Sequence, residues 1–406
     1  MKQLKAFKYK LEPNQQQKVL INKTLGCCRL IYNQMLNESQ EKYLKKDKSK
    51  NKTEKEYKEL FPFMKEIDSI SLQQSRLDLK NSYDNFFKKL KSGEIQKEIA
   101  KSLEKAKTDK QKAKAYDYGK PKFKSKKNPK HSYRTINISN SIRIEENYIK
   151  LPKLGFVKFK KSREILGNIK SVTISKNILN KYYISVLSEV KIEAKPQCYT
   201  KMGIDLGLKE FCVTSNNEFK SNPKYLRKLE LKLKKAQRKL SKRIKGSINR
   251  FKQQKVVFRI HEKIRNQRLD FLHKLSSKLI NENQVICLED LSIKNMVKNH
   301  KLAKSIYDVS WSKFVELLVY KALWYGKKLV KIDKFFPSSK MCNNCKNIKH
   351  DLTLQDRIYK CNSCGNTIDR DYNSSLNILE EGLRIINSGR DDRDSLLNIE
   401  TLVSSS

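Results

Sequence analysis

The sequence predicts a multidomain chain: a helical amino-terminal part, a small antiparallel β domain of barrel type, and a strongly basic α/β domain interrupted by a four-cysteine segment. Three observations predict it. Val19, Leu20, Leu25, Leu30, Ile31 and Leu36 recur at helical spacing within residues 15–46. Residues 131–190 alternate apolar and polar side chains with turns between them. Beyond Cys198, short apolar strands alternate with long helical stretches, the pattern of an α/β layer. With 406 residues the chain exceeds one ordinary domain.

Residues 6–12, AFKYKLE, read as a strand, and Pro13 with Asn14 breaks it before the first helix. A second helix is expected from Ser71 to Leu90. Between Lys101 and Lys130, 12 Lys face 3 acids, ending in the Gly/Pro-punctuated basic loop GKPKFKSKKNPK. The segments RTINISNSIRIEENYIKLP, GFVKFK, NIKSVTISKN and KYYISVLSEV supply the β domain. KMGIDLGL and KEFCVTSN read as a hairpin, and Lys224–Arg268 as one long helical region with 18 Lys and Arg against Glu230 and Glu262. Gln284–Leu288 is a short buried strand, 311–329 an amphipathic helix, and VKIDKF the strand after it. Residues 385–406 are polar and Ser-rich, the composition of a disordered tail.

Charge narrows the function. The 89 Lys and Arg against 43 Asp and Glu leave +46. Such an excess repels itself in a compact state, so a polyanion should neutralise it, and nucleic acid is the first candidate. No apolar run is long enough for a bilayer, and MKQLKAFKYKLEP has no signal-peptide character. A cytoplasmic protein of the prokaryotic nucleoid, without membrane partners, is the expectation. Four of nine Cys cluster as Cys342, Cys345, Cys361 and Cys364; Cys27, Cys28, Cys198, Cys212 and Cys287 read as buried thiols. That usage fits a reducing compartment with one metal site.

CNNC and CNSC stand 15 residues apart, the spacing of two knuckles around one Zn²⁺. Four thiolates close the coordination sphere, so this zinc is structural. Acids stand out in three places: Asp205 in GIDLGL, Glu289 after VICL, and the pair Asp369 and Asp371 around Arg370. An acid at the tip of a buried strand is costly unless paired or bound to metal. Convergence of such acids points to Mg²⁺ or Mn²⁺, two of which could clamp a phosphodiester. The competing account, simple salt-bridge partners, holds for any one of them but not for the set. Among the basic surfaces, Lys120, Lys122, Lys124, Lys126 and Lys127 flank Phe123 as a backbone contact, and Tyr133 and Arg134 are candidates to stack on a base. Arg238 and Arg243 lie in the basic helical region. Gln73, Arg76 and Lys80 share one helix face at i, i+3 and i+7, for contact or for packing.

The ordered set GIDLGL, VICLEDL, CxxC, CxxCG and DRDYNSSLNIL resembles the signature of the TnpB family, insertion-sequence proteins related to type V CRISPR effectors. FKYKLEPNQQQKVLINKTLGCCRLIYNQML and GKPKFKSKKNPKHSYRT resemble it too, so the likeness spans all but the tail. The resemblance implies a helical recognition lobe, a β-barrel wedge domain and an RNase H-like RuvC nuclease with an inserted zinc ribbon. It places a wedge strand at 1–14, the recognition domain at 15–120, the wedge at 121–195, the nuclease at 196–338 and 369–384, and the ribbon at 339–368. It implies catalytic, magnesium-binding roles for Asp205, Glu289 and Asp371, with Asp369 second choice for the last. The helix of Gln73, Arg76 and Lys80 becomes a candidate reader of a short motif beside the target. Guide RNA from the transposon end and target double-stranded DNA are the implied partners of a single chain. A nuclease-inactive repressor would lack one of the acids. A DDE transposase would share the carboxylates, but a ribbon between the second and third acids speaks against it.

Overall fold

The computed structural model describes residues 2–128, 130–353 and 355–389. The chain divides into two compact units, Lys2–Lys191 and the part from Ile192 onward.

The first unit opens with β1 (Lys2–Glu12), then α1 (Gln15–Lys45), α2 (Glu54–Leu60), a 3₁₀ turn (Pro62–Glu66), α3 (Ser69–Lys91), α4 (Glu94–Glu104) and α5 (Asp109–Tyr116). Six strands follow: β2 (Lys130–Ile136), β3 (Arg143–Glu145), β4 (Tyr148–Leu151), β5 (Gly155–Phe159), β6 (Asn168–Asn177) and β7 (Tyr182–Lys191). Asn14 starts α1 through a capping box: its side chain accepts from Gln17 N at 2.9 Å, and the Gln17 side chain accepts from Asn14 N at 3.0 Å. The helix buries Ile21, Leu25, Ile31 and Leu36. On α3, Leu72 and Leu79 are buried while Gln73, Arg76 and Lys80 face solvent. All seven strands form one antiparallel sheet in the order β2-β6-β7-β1-β5-β4-β3. Among the described residues this order does not return from β3 to β2, so the expected barrel is seen as an open hydrogen-bonded sheet. β1 sits at its centre and pairs with β7 from Lys2↔Lys191 to Leu11↔Tyr182.

In the second unit, β8 (Lys201–Leu206), β9 (Glu210–Thr214) and β10 (Phe219–Ser221) precede α6 (Tyr225–Ser241) and α7 (Ile248–Glu282). Then come β11 (Val285–Glu289), α8 (Ile293–Met296), α9 (His300–Val309), α10 (Trp311–Tyr325), β12 (Lys328–Ile332), β13 (Ile358–Lys360), β14 (Thr367–Asp369) and α11 (Arg370–Asn387). The five-stranded sheet runs β10-β9-β8-β11-β12, with β11 parallel to both β8 and β12. One face buries Met202, Ile204, Ile286 and Leu288 against Leu275, Leu279, Phe314 and Leu318 of α7 and α10. The other buries Val285, Cys287, Val330 and Ile332 against Ile378 of α11.

Four expectations need correction. Lys224–Arg268 is not one helix: α6 and α7 form a hairpin whose loop contains Gly246 at φ +90°. The helix from Trp311 stops at Tyr325, where Gly326 caps it at φ +66°, and Lys328 and Leu329 belong to β12. The supposed tail from 385 begins too early, since α11 runs to Asn387 with Ile385 and Ile386 packed on the core; residues 390–406 lie outside the described residues. Cys198 is only partly buried and accepts from Lys327 Nζ at 3.4 Å. Burial would raise its pKa, but hydrogen bonds from Thr200 and Lys327 bring it below the usual thiol value.

Two glycines let α11 approach the sheet. A Cβ on Gly203 would stand 2.1 Å from Ser375 O, and one on Gly382 would stand 2.3 Å from Cys287 Sγ. Gly203→Ala should therefore destabilise this unit by about 1–3 kcal/mol or more, because the obstacle is backbone that must move. Denaturant unfolding of the purified protein checks it, and an unchanged midpoint would contradict the packing.

Candidate functional site

Strand periodicity explains how two distant acids meet. Gly203 pairs with Cys287 and Ile204 with Leu288, so Asp205 and Glu289 occupy the next step on neighbouring parallel strands. Strands lie about 4.8 Å apart. Because side chains alternate, Asp205 shares the α11 face with Gly203, and Glu289 shares it with Val285 and Cys287. α11 then delivers Asp371 in its first turn. All three acids are half-buried.

Electrostatics places them in one field. Desolvation pushes the Asp205 carboxyl well above its usual range, and the charges of Glu289 and Asp371 push it further; Arg370 and the Leu206 amide act the other way. Glu289 is also raised, by burial, although it accepts a short hydrogen bond from Ser338 Oγ. Asp371 accepts from Arg370 Nη2 at 2.9 Å and pairs with Arg357 at 3.5 Å. Asp369 is otherwise engaged: it caps α11, accepting from Asp371 N at 2.9 Å and Tyr372 N at 3.0 Å. Among the described residues, only the four cysteines bring their ligand atoms within 4.8 Å of one another. Asp205, Glu289 and Asp371 are not part of such a group.

The cysteine site consists of two near-equivalent knuckles. Cys342 N donates to Asn347 O at 2.9 Å and Lys346 N to Cys342 O at 3.0 Å; Cys361 N donates to Asn366 O at 2.8 Å and Gly365 N to Cys361 O at 3.1 Å. Lys346 and Gly365 take matching left-handed conformations, φ +63° and +70°. Cys342 and Cys364 sulfurs lie 3.7 Å apart, Cys345 and Cys361 sulfurs 3.5 Å apart. Tetrahedral zinc with sulfur at about 2.3 Å sets these edges near 3.8 Å, so the four thiols could hold zinc. Backbone amides of Cys364 and Ser363 draw the Cys361 thiol down to about 6, toward the thiolate that a metal needs.

The remaining candidate residues divide. Lys122, Lys124, Arg238 and Arg243 are exposed. Arg76 pairs with Glu54, and Arg134 lies 3.9 Å from Asp78. Tyr133 is a correction: at 6 % exposure its ring belongs to the core and is not offered to a base. Sequence reasoning missed Ser338, Arg357, Arg370 and the buried asparagines Asn373 and Asn377. The asparagines' i, i+4 spacing after DRD was the one signal available; Ser338 offered none.

These features define an α/β unit in which a four-cysteine knuckle stands between the second and third of its clustered acids. Comparison with known proteins agrees in order and extent. A family profile described as "Probable transposase" matches residues 183–300, one described as "Cas12f1-like, TNB domain" matches 311–378, and one described as "Helix-turn-helix domain" matches 1–48, where the structure has β1 and the single helix α1. A Streptomyces pristinaespiralis protein named "Putative RNA-guided DNA endonuclease" is 34 % identical over 394 residues, covering 94 % of this chain and 90 % of its own. InsQ of Escherichia coli K12, with the same descriptive name, is 29 % identical over 96 % of this chain and 95 % of its own. A Cas12f1 chain solved with sgRNA and target DNA is 12 % identical with a TM-score of 0.46, covering 93 % of this chain and 98 % of that one. The chain belongs to the TnpB family. No described helix is long and apolar enough to cross a membrane.

Two outcomes are expected. Cys361→Ser should lose zinc by mass spectrometry and lower thermal stability; full zinc content would contradict a four-thiolate site. Asp205 has a folded pKa above its unfolded one, so its contribution to metal-free stability is present at low pH and lost as pH rises through the folded value. Asp205→Asn should therefore raise the metal-free melting point near pH 8 by about 2–4 °C per kcal/mol relieved, and by less near pH 5. A shift independent of pH would refute the repulsion.

Proposed function

We propose that this protein is an RNA-guided DNA endonuclease encoded by an insertion sequence, cutting double-stranded DNA beside a short adjacent motif. The observation that supports it most is the placement of Asp205 and Glu289 at the same step of neighbouring parallel strands, on the face covered by the helix whose first turn carries Asp371. In this reading the second unit is an RNase H-like, RuvC-type nuclease with a zinc ribbon, and the seven-stranded sheet belongs to a wedge barrel. Asp205, Glu289 and Asp371 would hold two Mg²⁺ or Mn²⁺ ions.

Bound there, the ions supply an activated water and neutralise charge on the phosphodiester during displacement. The chain's own work is to aim the acids and keep them partly dry. Arg370 and Arg357 hold Asp371 in place, and Ser338 holds Glu289. The cysteine knuckle, coordinatively closed, keeps the third acid's helix in register. Guide RNA selects sequence by base pairing, while exposed Lys122, Lys124, Arg238 and Arg243 neutralise phosphates and Gln73, Arg76 and Lys80 meet the adjacent motif. The protein acts in the cytoplasm at the nucleoid, as one chain with its RNA.

Purification under native conditions should recover a discrete RNA, identified by sequencing. Asp205→Ala should reduce cleavage of guide-matched DNA to background while leaving guided binding intact. Recovery of no specific RNA, or cleavage by Asp205→Ala, would refute the reading. Replacing both Arg238 and Arg243 by Gln should lower the slope of log affinity against log salt by about two; an unchanged slope would remove them from the phosphate contacts.

A further inference from the structure

Glu289 is not aimed by its own strand alone. Its Oε1 accepts from the hydroxyl of Ser338, a residue that is 4 % exposed and four positions before the first zinc-knuckle cysteine. Ser338 is itself held. Its carbonyl accepts from Asn377 Nδ2 at 2.8 Å, and its N–H donates to Phe336 O at 2.8 Å. Asn377 spends its second amide hydrogen on Met341 O at 2.7 Å, beside Cys342. One turn earlier on α11, Asn373 donates to the same Met341 O at 2.7 Å and accepts from Asn343 N, inside the knuckle, at 3.0 Å. Both asparagines have no exposed surface. Apolar residues would pack there with less desolvation, so two fully buried amides with nearly every hydrogen-bonding group matched point to a fixed geometry rather than filler.

From this network we propose that Ser338, locked by Asn377, is a positioning residue for Glu289, so that the cysteine knuckle and the Glu289 carboxylate are set as one body. The proposal rests on the reading of Glu289 as a ligand of a divalent ion. A carboxylate on a flexible stem has several rotamers; a hydroxyl on one oxygen selects one and leaves the other oxygen for a cation. Outer partners of metal ligands typically contribute 10–100-fold to metal affinity or activity. The same contacts explain why the knuckle sits between the second and third acids in the chain. Its first half, through Ser338, reaches Glu289, and its second half runs through β14 into the helix that carries Asp371.

The test measures Mn²⁺ bound to the purified protein–RNA complex by electron paramagnetic resonance, alongside cleavage across a Mg²⁺ series, zinc content and melting temperature. Ser338→Ala should weaken Mn²⁺ binding and raise the Mg²⁺ needed for half-maximal cleavage by about 10–100-fold, with zinc content unchanged. Ser338→Thr, which restores a hydroxyl, should recover most of both. Asn377→Ala should weaken Mn²⁺ binding and also speed zinc loss to a chelator. Unchanged Mn²⁺ binding in Ser338→Ala, or failure of Ser338→Thr to rescue it, would overturn the relay. A loss of zinc and melting temperature in Ser338→Ala that fully accounts for the weaker binding would overturn it too. Wild-type complex that binds no Mn²⁺ would defeat the nuclease reading itself, and a wild type that binds while Ser338→Ala binds equally defeats the relay alone.

Discussion

The second unit depends on one close approach, that of α11 to the sheet. Gly203 on β8 and Gly382 on the helix remove the side chains that would keep them apart. Each contact lies two residues before an acid: Gly203 before Asp205, and Cys287, facing Gly382, before Glu289. Strand alternation then turns both acids toward the helix whose first turn carries Asp371. A helix standing a side chain farther away would bury the same apolar residues but leave the third acid out of reach. Mutual repulsion follows from this closeness and is held in check by Arg370 and Arg357 on one acid and Ser338 on another.

Two buried lysines of the second unit are held by neutral acceptors. Lys321, in the apolar layer between α7 and α10, donates to Ser276 Oγ at 2.7 Å, Ser277 Oγ at 2.8 Å and His273 O at 3.0 Å. Burial draws its pKa down to about 8. Lys327 is similarly buried on Pro196 O and Gln284 Oε1. In a chain with +46 net charge, acids are scarce, and neutral acceptors take over inside. Opposite charges meet mostly at the surface, where each exposed pair contributes little.

Much of this was legible in the chain. Period-two alternation, helical spacing and the twin CxxC motifs marked out the longer strands, several of the long helices and the cysteine cluster, because each signal is local; the short helices α2, α4, α5, α8 and α9 and the strands β10, β13 and β14 were not marked. Where the reading failed, the deciding contact was remote or conformational. The hairpin in Lys224–Arg268 hinges on Lys242–Ser247, where continuous basic composition hides a turn with Gly246 at φ +90°. Tyr133 looked like a stacking aromatic in a basic stretch, yet it pairs with Ile174 in the sheet and turns inward. Asp369 and Asp371 could not be told apart by spacing; the cap geometry that occupies Asp369 exists only once β14 meets α11. Ser338 was invisible because its partners, 49 positions back and 39 ahead, share no motif with it.

The placement of β1 bears on how the polypeptide is made. Its partners along nearly the whole strand, Tyr182–Lys191, are the last residues of that unit to leave the ribosome. At about 5–20 residues per second, the first strand waits on the order of ten seconds or more with its hydrogen-bonding edges open. Lys2, Lys5, Lys8 and Lys10 interrupt that strand, and such charges are a known guard against pairing with the wrong chain. The cations that suit a polyanion in the finished molecule thus double as a safeguard during synthesis.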